Sequence, residues 1–240
     1  MKTWQKSLIP TLIVLIIGGI YLLYVWKQRQ NPGVVPQSEA TQKLTADDVA
    51  IVRTLSPQHY EDLNQLAGTR VWMKAGNSMP YFPYAAGQVQ WTKRVGLIPP
   101  AQPLDVKKIV KVTVPANVDD AIEHGARQAI AIFALPGTTG QFATPIGAME
   151  GSQEAYFPDL LFYLDDPHTI YSNWPKDVWA AIDAHQAKPG MSELETRMAI
   201  GMKMQTDGST EGDRTVTYTV NGKHIAVTYV NNHATAIKQQ

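Results

Sequence analysis

Thr215-Val216-Thr217-Tyr218-Thr219-Val220-Asn221-Gly222-Lys223-His224-Ile225-Ala226-Val227-Thr228-Tyr229-Val230 alternates apolar and polar side chains on both sides of an Asn-Gly pair. Alternation of period two places every second side chain on one face of a strand, and Asn-Gly supplies the two positive-φ positions of a type I′ turn. The stretch therefore reads as a β-hairpin. Asn231-Asn232 reads as a second tight turn into a third strand over Ala234 to Ile237. Upstream, a polar loop covers Thr206 to Asp213, and Lys188-Pro189-Gly190-Met191 breaks any preceding helix. Between them Ser192-Glu193-Leu194-Glu195 has the form of a capping box, in which Ser192 and Glu195 satisfy each other's backbone amides. A helix of about two turns follows, with Leu194, Met198 and Ala199 on one stripe and Gly201 at a positive-φ stop. The expected module over 188–240 is one helix on a three-stranded antiparallel meander.

From Gly68 to about Leu164 short β-prone runs alternate with Gly and Pro: Thr69–Lys74, Gln88–Lys93, Leu104–Val114, Gln128–Leu135, Gln141–Ile146 and Leu160–Leu164. They predict a mainly antiparallel sheet or small barrel, interrupted by a helix from Val118 to His124 capped by Asn117. Two helical stretches precede it, one following Thr45-Ala46-Asp47-Asp48 through Val49, Val52 and Leu55, the other running from Ser56-Pro57 to Gly68. The body spans residues 45–187.

The chain begins differently. Ser7 to Trp26 reads SLIPTLIVLIIGGIYLLYVW without a charge, long enough as a helix to cross a hydrocarbon core of about 30 Å. Trp4, Tyr21, Tyr24 and Trp26 suit interfacial belts, and Lys2, Lys6, Lys27 and Arg29 flank the run. A cleavable signal is shorter in its apolar part and ends on small residues, so residues 1–27 read as an uncleaved single-pass signal anchor, and 28–44 as an extended linker with Pro32, Gly33 and Pro36. Lysine and arginine counts on the two sides tie, so charge bias leaves orientation open.

Across the 240 residues Lys plus Arg balance Asp plus Glu at 21 each, which argues against a nucleic-acid partner. Cysteine is absent, excluding disulfides, thiolate metal sites and cysteine nucleophiles. No phosphate loop, dinucleotide fingerprint, His-Glu-x-x-His or Gly-x-Ser-x-Gly motif occurs, and neither a cofactor nor an enzymatic activity is expected. Two constellations remain. Asp165-Asp166-Pro167-His168 has the residue types of an acid–base pair or metal site, although Asp166-Pro167 is also ordinary punctuation at a turn or helix start. The loop Gly76-Asn77-Ser78-Met79-Pro80-Tyr81-Phe82-Pro83-Tyr84, with Trp72 upstream, concentrates aromatics as a binding surface does, and as a buried structural loop does equally. Trp72, Tyr81, Phe82 and Tyr84 are the candidate binding residues.

Gly190-Met191-Ser192, then Thr196, Ile200 and Gly201, then a hairpin tipped by Asn-Gly-Lys, is similar to the pattern of BamE-like (SmpA/OmlA) domains over about 188–240. Thr196 departs from the larger aliphatic usual there, and the lipid-bearing cysteine of the best-known member is missing. The resemblance implies a small helix-plus-sheet module of the bacterial envelope that binds and stabilises partners. It also implies an extracytoplasmic domain facing the periplasm, anchored in the inner membrane, with the bilayer and envelope proteins as partners. Three functional readings follow: an anchored binding or scaffolding module, an accessory subunit contacting partners through its helix, and a hydrolase using Asp165, Asp166 and His168.

Overall fold

The computed structural model describes residues 18, 19, 21–23, 26, 27, 50–116, 118, 125, 127–151, 153–201, 203–207, 210–220 and 222–239. The chain divides into Met1–Thr45 and Ala46–Gln240, and every strand among the described residues belongs to the second unit. Its elements in order are a 3-10 helix η1 (Tyr60–Leu66), then β1 (Arg70–Met73), β2 (Pro80–Ala85), β3 (Gln88–Val89), β4 (Gly96–Leu97), β5 (Pro103–Thr113), β6 (Arg127–Ala134), β7 (Gln141–Glu150) and β8 (Gln153–Tyr156). Next come α1 (Pro158–Leu161), β9 (Phe162–Tyr163), α2 (Pro167–Ile170), α3 (Lys176–Asp183) and α4 (Glu193–Ile200), and last β10 (Lys203–Asp207), β11 (Thr215–Val220), β12 (Lys223–Val230) and β13 (His233–Gln239).

A nine-stranded antiparallel sheet runs β3-β2-β7-β6-β5-β1-β9, with β4 on β2 and β8 on β7. A four-stranded antiparallel sheet runs β10-β11-β12-β13. This corrects the expected α+β fold: the molecule is mostly antiparallel β with few, short helices, and the C-terminal sheet has four strands rather than three. The added strand, β10, pairs with β11 from Lys203↔Tyr218 to Asp207↔Thr215 through a bulge. Its Lys-Met-Gln-Thr-Asp sequence carries no clean alternation, so periodicity does not reveal it. Strand β2 is a second departure. Two prolines, each lacking an amide donor, mark it as a loop in sequence, yet it pairs with β7 from Phe82↔Ala143 to Tyr84↔Gln141.

Among the described residues no helix is long and apolar enough to cross a membrane. On that finding the transmembrane signal anchor over 1–27 and the single-pass inner-membrane placement with an extracytoplasmic domain are corrected. The anchor rested on sequence features alone and the extracytoplasmic placement on the resemblance, and most of Ser7–Trp26 and all of 28–44 lie outside the described residues. So does most of the expected Val118–His124 helix, whereas residues 50–57, expected to be partly helical, have no regular structure.

Strand alternation divides the apolar side chains between two cores. Val71, Met73, Leu104, Val106, Ile109, Ala131 and Phe133 join Leu63 and Leu66 of η1 on one side of the large sheet. Phe82, Val89, Ile130, Ile132 and Val114 form a smaller core on the other. A third core joins α2, α3 and α4 to the small sheet through Trp174, Trp179, Ile182, Met198, Tyr218 and Tyr229. Burying each large apolar side chain contributes roughly 1.5–3 kcal/mol. The capping box at α4 forms as its sequence predicts: Glu195 N donates to Ser192 Oγ at 3.1 Å, Ser192 N donates to Glu195 Oε2 at 2.6 Å, and Gly201 closes the helix at φ +98°.

Candidate functional site

On the small sheet, Val216, Tyr218 and Val220 of β11 and Ile225, Val227 and Tyr229 of β12 share one face, and α3 and α4 pack against it. The helical layer is shorter than the strands. Eight residues of α4 rise about 12 Å, whereas the eight of β12 extend about 26 Å. Val216, Tyr218, Val227 and Tyr229 are thus covered, while Val220, Ile225 and Ile237 at the far end are only half-buried. They floor a groove of about 450 Å³ closed by Ile200, Ala187 and His185. A smaller cavity of about 120 Å³ shares His185, Ile200 and Val220 and reaches Leu97 and Pro100 of the large-sheet side. Leu97 of β4, itself exposed, continues the apolar surface there.

His185 sits in this groove at a backbone cost. Helix α3 ends in a Schellman arrangement, with Gln186 N donating to Ala181 O and His185 N to Ile182 O, both at 2.9 Å. The residue at that position must be left-handed, and His185 has φ +53°, where glycine is the usual occupant. The polar lining of the larger groove consists of His185, Gln186, Lys223 and Gln239, with no carboxylate among its described residues.

The four candidate aromatic residues do not share a surface. In β2, Phe82 and Tyr84 point to the smaller core of the large sheet, Phe82 fully buried with its ring 5.2 Å from Trp91. Tyr81 points to the opposite core, its ring 5.3 Å from Phe142. Trp72 packs on the third core, beside Tyr163 in register. Tyr84 borders a groove of about 410 Å³ shared with Trp91 and Val110, and Lys108 Nζ lies 5.0 Å from its ring centre.

Asp165, Asp166 and His168 are only partly brought together. The Asp165 carboxylate is bound by Arg53, whose Nε donates at 2.6 Å and whose guanidinium holds that carboxyl below the usual range. Asp166 caps α2, accepting from His168 N at 2.9 Å, which is the punctuation its Asp-Pro pair suggests. His168 Nδ1 lies 2.9 Å from Asp166 Oδ1 and its Nε2 3.5 Å from Asp183 Oδ1, so the two carboxylates face opposite edges of the ring. The ring stacks on Trp179 at 3.9 Å between centroids. Carboxylates on opposite edges cannot converge with the ring on one ion, and no group of three His, Asp or Glu suited to a metal occurs among the described residues.

Sequence reasoning missed the groove because it depends on how far α4 reaches along β11 and β12, which no local pattern encodes. Its one local trace is Ala184-His185-Gln186, a helix end without the usual glycine. Comparison with protein-family models, with curated proteins and with solved structures gave no match.

Proposed function

We propose that the chain is a protein-binding or scaffolding module, and that the groove over Val220, Ile225 and Ile237 is where a partner's apolar segment docks. The observation that supports it is an apolar floor left open by a short helical layer, with a residue in a strained conformation at its rim. Backbone strain persists where a side chain is needed at that position, and such sites concentrate where ligands are held. The resemblance of 188–240 to BamE-like domains, whose members bind and stabilise partners, supports the same reading, with the fourth strand as a departure from the pattern.

A photocrosslinking residue at position 225 of the full chain, expressed in its native cells, tests the proposal against one at position 224, which alternates to the other sheet face. A discrete protein adduct at 225, absent at 224 and lost when Val220→Arg fills the groove, is the expected result. Equal labelling at both positions, or none at 225, overturns it.

A further inference from the structure

The geometry points to an extended apolar segment carrying acidic side chains as the occupant of the His185 groove, added as a strand along β13. This rests on the binding reading above and specifies the chemistry of the partner. Two features carry it. The first is charge: the polar groups around the apolar floor are the His185 imidazole, the Lys223 ammonium and the Gln186 and Gln239 amides, while no carboxylate lines either cavity among the described residues. A segment whose acids flank its apolar side chains meets complementary charge there, and a basic one meets like charge.

The second feature is the sheet edge. β13 is the last strand of the small sheet, and its start is engaged by the 188–191 segment, Ala234 N donating to Met191 O at 2.8 Å and Gly190 N to Ala234 O at 2.9 Å. Beyond Ala234 no described strand pairs with its outer side. An extended peptide laid there gains backbone hydrogen bonds, and alternate side chains fall beside Ile237 on the face that floors the groove. A lone fatty chain would satisfy the apolar floor but leave this edge unused.

The test uses the full chain and three labelled heptapeptides in which serines take the alternate positions and the groove-facing positions are valine in the middle and glutamate, lysine or serine at the two ends, read by fluorescence anisotropy. The glutamate peptide is expected to bind about tenfold more tightly than the lysine peptide at low ionic strength, with the gap closing as salt is raised. Lys223→Glu should remove that preference and Ile237→Asp should remove binding, both with unchanged circular dichroism. Binding of the lysine peptide as tight as that of the glutamate peptide overturns the proposal. So does displacement of a bound fluorescent fatty acid by dodecanoate together with no peptide binding. If the acidic preference is absent while the position-225 adduct persists, the charge assignment fails and the groove reading stands; if both are absent, both fail.

Discussion

Glu193 and Arg214 form a two-pronged ion pair, Arg214 Nη2 donating to Glu193 Oε1 at 2.6 Å and Nε to Oε2 at 3.0 Å, with the Glu193 side chain 1 % exposed and that of Arg214 10 %. It ties the first turn of α4 to the loop before β11. Breaking a buried pair by removing one partner leaves the other charge uncompensated and costs about 3–5 kcal/mol, whereas replacing both with apolar side chains of similar size is close to neutral. Arg214→Ala is therefore expected to lower the denaturation midpoint sharply, and the double variant Glu193→Leu with Arg214→Met to recover most of that loss. A double-mutant cycle in urea checks it; equal destabilisation by the single and double variants would contradict the account.

Stability should also fall in acid, in a direction fixed by the same pair. Burial raises the Glu193 carboxyl's affinity for its proton, but the Arg214 hydrogen bonds, the Gly212 amide and the charges of Arg214 and Arg197 outweigh it and hold the carboxyl below its ordinary value of 4.5. A carboxylate with a depressed folded value contributes stability that is complete above its unfolded value and lost as pH falls through the folded one. Thermal midpoints measured downward from pH 7 should begin to drop below about pH 4.5, and the apolar double variant should drop less.

The hairpin and the capping box were legible because each is a local rule: Val220↔Lys223 leaves a two-residue connection, Gly222 takes φ +77°, and Ser192 and Glu195 exchange bonds three residues apart. What escaped depends on distant residues. β2 exists because β7 offers it a partner some sixty residues away, overriding two prolines. Trp72, Tyr81, Phe82 and Tyr84 are close in sequence, but β2 turns Phe82 and Tyr84 from Tyr81, while Trp72 on β1 meets another core, so their composition carried no information about a shared surface.

Gly147 is required by packing rather than by its backbone angles. A Cβ there would lie 2.5 Å from Tyr156 Cδ1 and 2.7 Å from Ala155 O, because β8 pairs with β7 here and sets Tyr156 opposite Gly147. Gly147→Ala must displace the β8 backbone, and overpacking of this kind typically costs about 1–3 kcal/mol. Gly222 makes the opposite case, since nothing lies within 4 Å of its would-be Cβ. Gly222→Ala should cost less, from left-handed strain alone, and hydrogen exchange should show β8 opening selectively in the first variant and the β11–β12 hairpin in the second.

His185→Gly separates stability from binding. The left-handed backbone of His185 is strained for a residue with a Cβ, and glycine at that helix terminus relieves it, less the extra freedom glycine brings to the unfolded chain; a net gain of about 1 kcal/mol is expected. The same change removes an imidazole from the rim shared by both cavities and widens them. The variant should melt higher than the parent and hold the acidic peptide more weakly. If it melts higher and binds unchanged, His185 plays no part in the groove; if it melts lower, the side chain stabilises the helix end by contacts that outweigh its strain, and the strain argument for a binding role falls with it.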